Sequence, residues 1–115
     1  MTLRQKQSKF ARMVAHLIDH ATIMGFEVTL GDAARMDRQG HMPNSCHYIR
    51  LAIDLNLFHD GKYLRSSEAH RPLGIFWESL ASDARWGGRF TKVVDGHVVS
   101  APDGNHYSLE HKGYK

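Results

Sequence analysis

The chain has 115 residues, of which 42% are apolar and 23% are charged, and its net charge is +3. This length accommodates one modest hydrophobic core, so we expect a single domain over residues 1–115. The single cysteine, Cys46, excludes an internal disulfide, and no apolar run is long enough to span a membrane. The basic balance is compatible with any anionic polymer, including nucleic acid and bacterial cell wall.

The first predicted element is an amphipathic helix from Thr2 to about Met24. Thr2 and Gln5 have the spacing of a capping box, apolar residues recur along one face, and Gly25 follows the helix. The opposite face is basic and carries Arg4, Lys6, Lys9 and Arg12. We interpret it as a solvated surface, because it lacks the aromatic or amide side chains expected beside arginines in a nucleic-acid-binding helix.

The middle of the chain predicts strands separated by a long loop. Residues 26–30 alternate apolar and polar, which is typical of a half-buried strand, whereas residues 31–46 lack periodicity and are expected to form a loop. The apolar run from Leu51 to Phe58 predicts a second strand. It turns at Asp60–Gly61, after which "KYL" returns as a hairpin partner.

The last third of the chain predicts a helix and more strands. Pro72 is expected to open the helix, whose apolar residues at helical spacing are Leu73, Phe76, Trp77 and Leu80. "RWGGRF" ends it, "TKVVDGHVVSAP" predicts a hairpin around Asp95–Gly96, and "NHYSLEH" predicts a last short strand. This order of elements indicates an α+β fold, in which a small antiparallel sheet packs with two main helices.

An aspartate, Asp54, interrupts the predicted strand 51–58. A carboxylate in an apolar strand is costly unless a partner holds its charge. His47 is a candidate partner through a shared metal ion, but the odd spacing of the two residues places them on opposite faces of a regular strand. They can share an ion only if His47 precedes the strand or a bulge intervenes. From spacing alone, a capped aspartate and a surface histidine are the favoured interpretation.

A second candidate pair is Asp103 and His106, in the stretch "DGNHY". A carboxylate three residues before a histidine could reach a metal ion or its bound water, although this spacing is common by itself. Asp95 and His97 form a rival pair. A Cys–His dyad of Cys46 with the following histidine is not expected, because neighbours on a strand point apart.

Three stretches together resemble the M15 family of zinc D,D-/L,D-peptidases, which includes D-alanyl-D-alanine carboxypeptidases and phage L-alanyl-D-glutamate endolysins. "SCHYIRLAIDLNLF" resembles the S-x-H-x(6)-D signature of the family, and "WGGRF…DGNHYSLEH" resembles its W-G-G-x-F followed by D-x-x-H-[FY]. "VTLGDAAR" resembles the upstream segment that carries a substrate-facing arginine. The resemblance covers nearly the whole chain and is greatest to the short phage members. Three motifs in the same order identify a family far more specifically than any one of them.

The resemblance implies a hedgehog/DD-peptidase-like fold and a Zn²⁺ site. The ligands would be His47, Asp54 and His106, with Asp103 as the catalytic carboxylate. Zinc would lower the pKa of a bound water toward about 7. Asp103 would take the proton of that water and pass it to the leaving amine.

The resemblance also implies residues that act on the substrate. Arg35 would stabilise the oxyanion, and Ser45 matches a serine of the family two residues before the first ligand. We expect the substrate-binding residues to be Ser45, Arg50 and Trp86. From the residues alone, Trp77 and Trp86 are interpreted as core or groove-wall residues. Two positions depart from the family pattern, because many members have glycine at the position of Arg50 and glutamate at that of Asp103. Residues 91–102 are longer than in the shortest relatives and are expected to form a rim beside the cleft.

The function implied is a zinc-dependent peptidoglycan peptidase that cuts a stem-peptide bond involving a D-amino acid, as an endopeptidase or a carboxypeptidase. The alternative is a non-catalytic zinc-containing domain that binds wall peptides or a virion partner. A basic nucleic-acid-binding protein is a further, less favoured alternative. We expect a monomer with no nucleic-acid partner and no stable membrane insertion. The chain would accumulate in the cytoplasm of a phage-infected bacterium and reach the wall after release, since "MTLRQKQSKFAR" lacks a hydrophobic signal region.

Overall fold

The structure is a computed structural model that describes residues 1–31 and 49–113. Its helices are α1 (Leu3–Ile23) and α2 (Arg71–Leu80). Its strands are β1 (Glu27–Leu30), β2 (Ala52–His59), β3 (Lys62–Tyr63), β4 (Ala84–Trp86), β5 (Thr91–Val94), β6 (His97–Ser100) and β7 (His106–Leu109). Short 3-10 turns span Ser67–His70 and Gly87–Arg89. The α+β class, with two helices and a small antiparallel sheet, is confirmed.

Helix α1 begins and ends as its sequence predicts. The Thr2 hydroxyl accepts a hydrogen bond from the backbone N–H of Gln5, and the Gln5 side chain accepts one from the N–H of Thr2, which completes the capping box. Gly25, at φ +93°, ends the helix in the left-handed conformation that glycine adopts without strain. The buried face of α1 consists of Phe10, Met13, Leu17 and Ala21.

The basic face of α1 is only partly the solvated surface expected. The Nζ of Lys6 lies 3.1 Å from a carboxylate oxygen of Asp83 and donates to the backbone carbonyl of Glu110 at 2.6 Å. Lys9 lies 3.5 Å from the other carboxylate oxygen of Asp83. These two lysines therefore tie α1 to the segment before β4 and to the end of β7, whereas Arg4 and Arg12 are exposed as expected.

The sheet is antiparallel and has the strand order β1–β2–β7–β4, with β3 paired to the end of β2. The hairpin β2–β3 turns at Asp60 (φ +50°) and Gly61 (φ +77°), as the Asp-Gly pair predicts for a type I′ turn. The strand β4 was not predicted, since its three residues follow α2 closely and are too few to show a period. The loop expected over residues 31–46 lies, apart from Gly31, outside the described residues.

Both helices pack on one face of this sheet. The Trp77 ring of α2 makes edge contacts with Phe10 of α1 and with Tyr107 of β7, at centroid distances of 5.6 and 6.0 Å. Tyr107 lies opposite Ile53 in the β2–β7 register, so these residues share the core face. Successive strand residues alternate between faces, which places Asp54 on the opposite face, away from the helices. Within residues 1–31 and 49–113, neither helix is long and apolar enough to cross a membrane.

The hairpin predicted around Asp95–Gly96 is confirmed as β5–β6, a separate two-stranded sheet. A hydrogen bond from the N–H of Ala101 to the carbonyl of Phe90, at 2.9 Å, closes its base. Val93 and Val98 face each other in the register and are 69% and 71% exposed. The hairpin is therefore held by its own ladder of hydrogen bonds and contributes little to the core.

A buried polar pair lies where the 3-10 turn before α2 meets the sheet. The Nδ1 of His70 and the hydroxyl of Tyr107 are 2.7 Å apart, and the two residues are 3% and 0% exposed. Burial lowers the pKa of His70 to about 4, and burial raises the pKa of Tyr107. His70 is therefore a neutral imidazole at pH 7.

The low pKa of His70 predicts that the unfolding free energy of the protein decreases in acid. Because the pKa of His70 is about 4 when folded and about 6.5 when unfolded, the unfolded chain binds more protons between these values, and stability falls as the pH drops through them. We expect about 2 kcal/mol less unfolding free energy at pH 5 than at pH 7 from this residue. Urea denaturation at both pH values measures it. His70→Gln, which keeps a hydrogen-bonding group, should lose this part of the pH dependence, and an unchanged dependence would refute the assignment.

Candidate metal centre

The centre of the site is a cross-strand pair. The β2–β7 register sets Asp54 directly opposite His106, so their side chains leave the same face of the sheet. Nδ1 of His106 lies 3.4 Å from Oδ1 of Asp54. The imidazole is 4% exposed and the carboxylate 17%, so a largely buried nitrogen and a partly open oxygen face each other at the strand ends.

A turn before β7 brings a second carboxylate to this pair. The N–H of His106 donates to the carbonyl of Asp103 at 3.0 Å, which closes the turn 103–106. Oδ2 of Asp103 lies 3.9 Å from Nδ1 of His106, and this side chain is 56% exposed. One ligand atom from each of Asp54, Asp103 and His106 lies within 4.8 Å of the other two. The structure thus brings together three of the five metal-site and catalytic residues predicted from the sequence, and the other two, His47 and Arg35, lie outside the described residues.

The stretch "WGGRF" supports the turn that carries Asp103. The Nε1–H of Trp86 donates to the carbonyl of Gly104 at 2.7 Å, and the N–H of Asp103 donates to the carbonyl of Gly87 at 2.8 Å. The ring of Phe90 packs against the imidazole of His106 at a centroid distance of 5.2 Å. Three of the residues in this stretch therefore contact residues of D-x-x-H, so the two motifs form one local structure.

Gly87 is required by the close approach of these two segments. A Cβ atom at this position would lie 2.0 Å from the carbonyl oxygen of Asp103 and 2.8 Å from the Cβ of His106. Any side chain at position 87 would overlap these two atoms, which would have to move to make room for it. The absence of a side chain at Gly87 thus sets how closely the turn 103–106 approaches the rest of the site.

The third motif also reaches the centre. Gly31, from "VTLGDAAR", donates its N–H to the carbonyl of Asp54 at 2.7 Å. On the other side, the N–H of Leu55 donates to the carbonyl of Asn105 at 2.9 Å. The backbone around Asp54 is therefore held both by the end of β1 and by the turn before β7.

The donor atoms fit a divalent cation such as zinc. Imidazole nitrogen and carboxylate oxygen are common zinc ligands, at about 2.0–2.2 Å. Two such atoms on a tetrahedral ion are about 3.4 Å apart, which is the separation of Nδ1 of His106 and Oδ1 of Asp54. The carboxylate of Asp103 is farther from the imidazole, at 3.9 Å, and is more exposed. Asp54, Asp103 and His106 are therefore a candidate metal-binding group.

Other predicted site residues have different outcomes. His47, Ser45 and Arg35 lie outside the described residues, so their assignments stay predictions. Arg50 is exposed and adopts φ +56°, in the left-handed region where glycine is unstrained. The rival pair Asp95 and His97 belongs to the exposed turn of β5–β6 and is not part of the metal-binding group.

Trp86 requires a correction. It was expected to contact the substrate, but the side chain is 2% exposed, with its ring packed over Gly74 of α2. A ring so buried has no accessible face for a peptide. The contact with Gly104 gives Trp86 a supporting role instead. The supporting roles of Gly31, Gly87 and Phe90 were not predicted from the sequence, where their only signal is their place in the three motifs.

We find no match to the chain among protein families, curated proteins or solved structures. The relationship to the M15 family therefore remains a proposal, which depends on the motifs and on the geometry of the site.

Substitution of Gly87 tests how the turn is held. Gly87→Ala should displace Asp103 and His106, lower the unfolding free energy by about 1–3 kcal/mol, and weaken zinc binding. Gly96→Ala is the control, because Gly96 lies in the distant β5–β6 turn, where a Cβ meets no atom within 4 Å although its φ of +76° strains alanine. The control should change stability only. Equal zinc affinity of Gly87→Ala and the wild type, measured by competition with a chromogenic chelator, would contradict this account.

Proposed function

We propose that the chain is a zinc-dependent peptidase that hydrolyses peptidoglycan stem peptides at a bond involving a D-amino acid. The observation that carries the proposal is the convergence of Asp54, Asp103 and His106 at one point of the sheet. These residues come from two motifs that are far apart in the sequence, and both motifs resemble those of the M15 zinc peptidases.

The residues divide into those that hold the ion and one that moves protons. Asp54 and His106 would hold zinc, and His47 is the third ligand that the sequence predicts. When bound, zinc would polarise the scissile carbonyl and lower the pKa of a water molecule to about 7. The packing of Phe90 on the imidazole fixes the orientation in which Nδ1 is presented.

Asp103 is suited to the proton transfers. Its backbone is fixed by hydrogen bonds at both N–H and C=O, whereas its carboxylate is 56% exposed and accessible to water and substrate. Asp103 would accept the proton of the water that attacks the carbonyl carbon. It would then deliver a proton to the amine nitrogen as the C–N bond breaks. Such general acid–base help typically contributes about 10²–10⁴-fold.

Two further features support the family assignment. The left-handed backbone at Arg50 is the conformation for which glycine is best suited, and glycine is the residue that many family members have there. The net charge of +3 favours association with an anionic wall. The oxyanion role of Arg35, the phage host and the site of action rest on the sequence resemblance alone.

Digestion of purified peptidoglycan, with and without a chelator, tests the function. We expect release of stem-peptide fragments that mass analysis assigns to one bond, and no release when the chelator is present. Zinc binding and wall binding without any fragments would contradict the peptidase and support the non-catalytic alternative. The identity of the fragments also distinguishes an endopeptidase from a carboxypeptidase.

Substitutions separate the predicted roles. Asp103→Asn should keep zinc near one equivalent and lower wall hydrolysis by at least about 100-fold, because only the proton acceptor is lost. His106→Ala and Asp54→Asn should lose zinc and activity together. Asp95→Asn in the β5–β6 turn is the matched control and should leave both unchanged. Zinc content is measured by atomic absorption, and a fully active Asp103→Asn would refute the role of the carboxylate.

A further inference from the structure

A cavity of about 240 Å³ lies beside the candidate metal centre. Its walls are the end of the β2–β3 hairpin, the 3-10 turn Ser67–His70 and residues 102–105, so Asp103 belongs both to the cavity and to the metal-binding group. The volume is below the about 300–1,000 Å³ that hold drug-sized ligands. The cavity therefore suits one chemical group of a larger substrate whose remainder lies across the metal centre.

Arg65 is the one cation among the described residues that line this cavity. Three other arginines of the described chain each form an ion pair, Arg71 with Glu68, Arg85 with Glu110 and Arg89 with Glu78. Arg65 lines the cavity, and within residues 1–31 and 49–113 its guanidinium makes no ion pair or hydrogen bond. A guanidinium is a bidentate donor whose geometry matches a carboxylate.

The rest of the lining adds hydrogen-bond groups without a second cation. The Ser67 hydroxyl already accepts from the N–H of Gly104 at 3.0 Å, so its own O–H can still donate to a ligand. Asn105 also lines the cavity, and its side chain carries an amide that can donate hydrogen bonds. His70 stays neutral at pH 7, with Nδ1 engaged by the Tyr107 hydroxyl.

The one anion of this lining is Asp103. Its Oδ2 lies 3.9 Å from Nδ1 of His106, so this carboxylate lies at the edge of the cavity that borders the metal-binding group. Arg65, in contrast, lies in the wall of the cavity that the end of the β2–β3 hairpin forms. The lining thus presents a cation and several donors to a ligand, with the carboxylate of Asp103 on the side of the reacting bond.

We propose that this cavity binds a carboxylate of the substrate, with Arg65 as its principal ligand and Ser67 and Asn105 as supporting donors. The substrate class is then a peptide with a carboxylate within about one residue of the bond that is cut, and Arg65 determines that specificity. This inference rests on the proposed function for the identity of the substrate, but the binding of a carboxylate can be measured without catalysis.

The test compares an acid with its amide. Acetyl-D-alanine and acetyl-D-alanine amide are titrated into the full chain as purified, and backbone amide NMR shifts are followed. We expect the acid to shift the signals of Ser67 and Gly104, which line the cavity, and the amide to bind at least about tenfold more weakly, since hydrogen bonds to a charged group are stronger. Equal affinity for acid and amide, or shifts confined to other residues, would overturn the proposal.

Variants identify the group that recognises the acid. Arg65→Gln should weaken acid binding by about 10- to 100-fold, and Arg65→Lys should retain part of it, because lysine keeps the charge without the planar fork. Arg12→Gln is the control, because Arg12 is an exposed arginine on α1 and should not affect binding. If zinc coordinated the acid directly, Arg65→Gln would not change the affinity for the acid. An unchanged affinity of this variant for the acid therefore overturns the proposal.

Digestion of peptidoglycan by the same protein preparations distinguishes a failure of the carboxylate site from a failure of the proposed peptidase function. A protein that digests the wall but binds acid and amide equally overturns the carboxylate site and leaves the peptidase intact. A protein that binds the acid through Arg65 but does not digest the wall supports the carboxylate site and overturns the peptidase.

Discussion

The antiparallel register between β2 and β7 is the constraint on which the candidate site depends, because it sets Asp54 opposite His106. A slip of one residue would send one of these side chains to the core face, where Trp77 and Tyr107 pack. The register is fixed by the apolar residues of the same strands, since Ile53 and Tyr107 must remain buried. The same alternation that forms the core therefore places an acid and an imidazole together on the other face.

Around this pair the protein combines a rigid backbone with an exposed reactive group. Trp86 and Gly87 hold the turn 103–106 through backbone hydrogen bonds, and Phe90 packs on the imidazole. Asp103 itself remains more than half exposed. A site supported in this way keeps its geometry while the carboxylate stays accessible from solvent. The cavity beside Asp103 extends the same surface away from the candidate metal centre. The proposed carboxylate site therefore lies next to the proposed site of peptide hydrolysis.

Much of the fold could be predicted from the sequence, because its signals are local. The capping box of α1, the helical spacing around Trp77 and the two Asp-Gly turns each act over a few residues, and all of them are confirmed. The strand β4 was missed because its pairing with β7 is a tertiary interaction that three residues do not reveal. The lysines of α1 illustrate the same limit, since Asp83 is far from Lys6 in the sequence and near it only in the fold.

The candidate site was harder to predict than the fold from the periodicity of apolar residues. The position of Asp54 in an apolar strand raised the question of its partner, but the partner is set by a register that local patterns do not specify. The motifs supplied the pairing with His106 and the position of Asp103. They did not indicate that Trp86 is buried beneath the site, because a tryptophan in a motif can support a turn as well as contact a ligand.

A zinc-edge anomalous difference map from crystals of the zinc-loaded protein tests the central claim most directly. Our account predicts a single strong peak between Oδ1 of Asp54 and Nδ1 of His106, with the carboxylate of Asp103 beside it. A map with no peak at these two atoms, or with its strong peak on other histidines of the chain, would contradict the account.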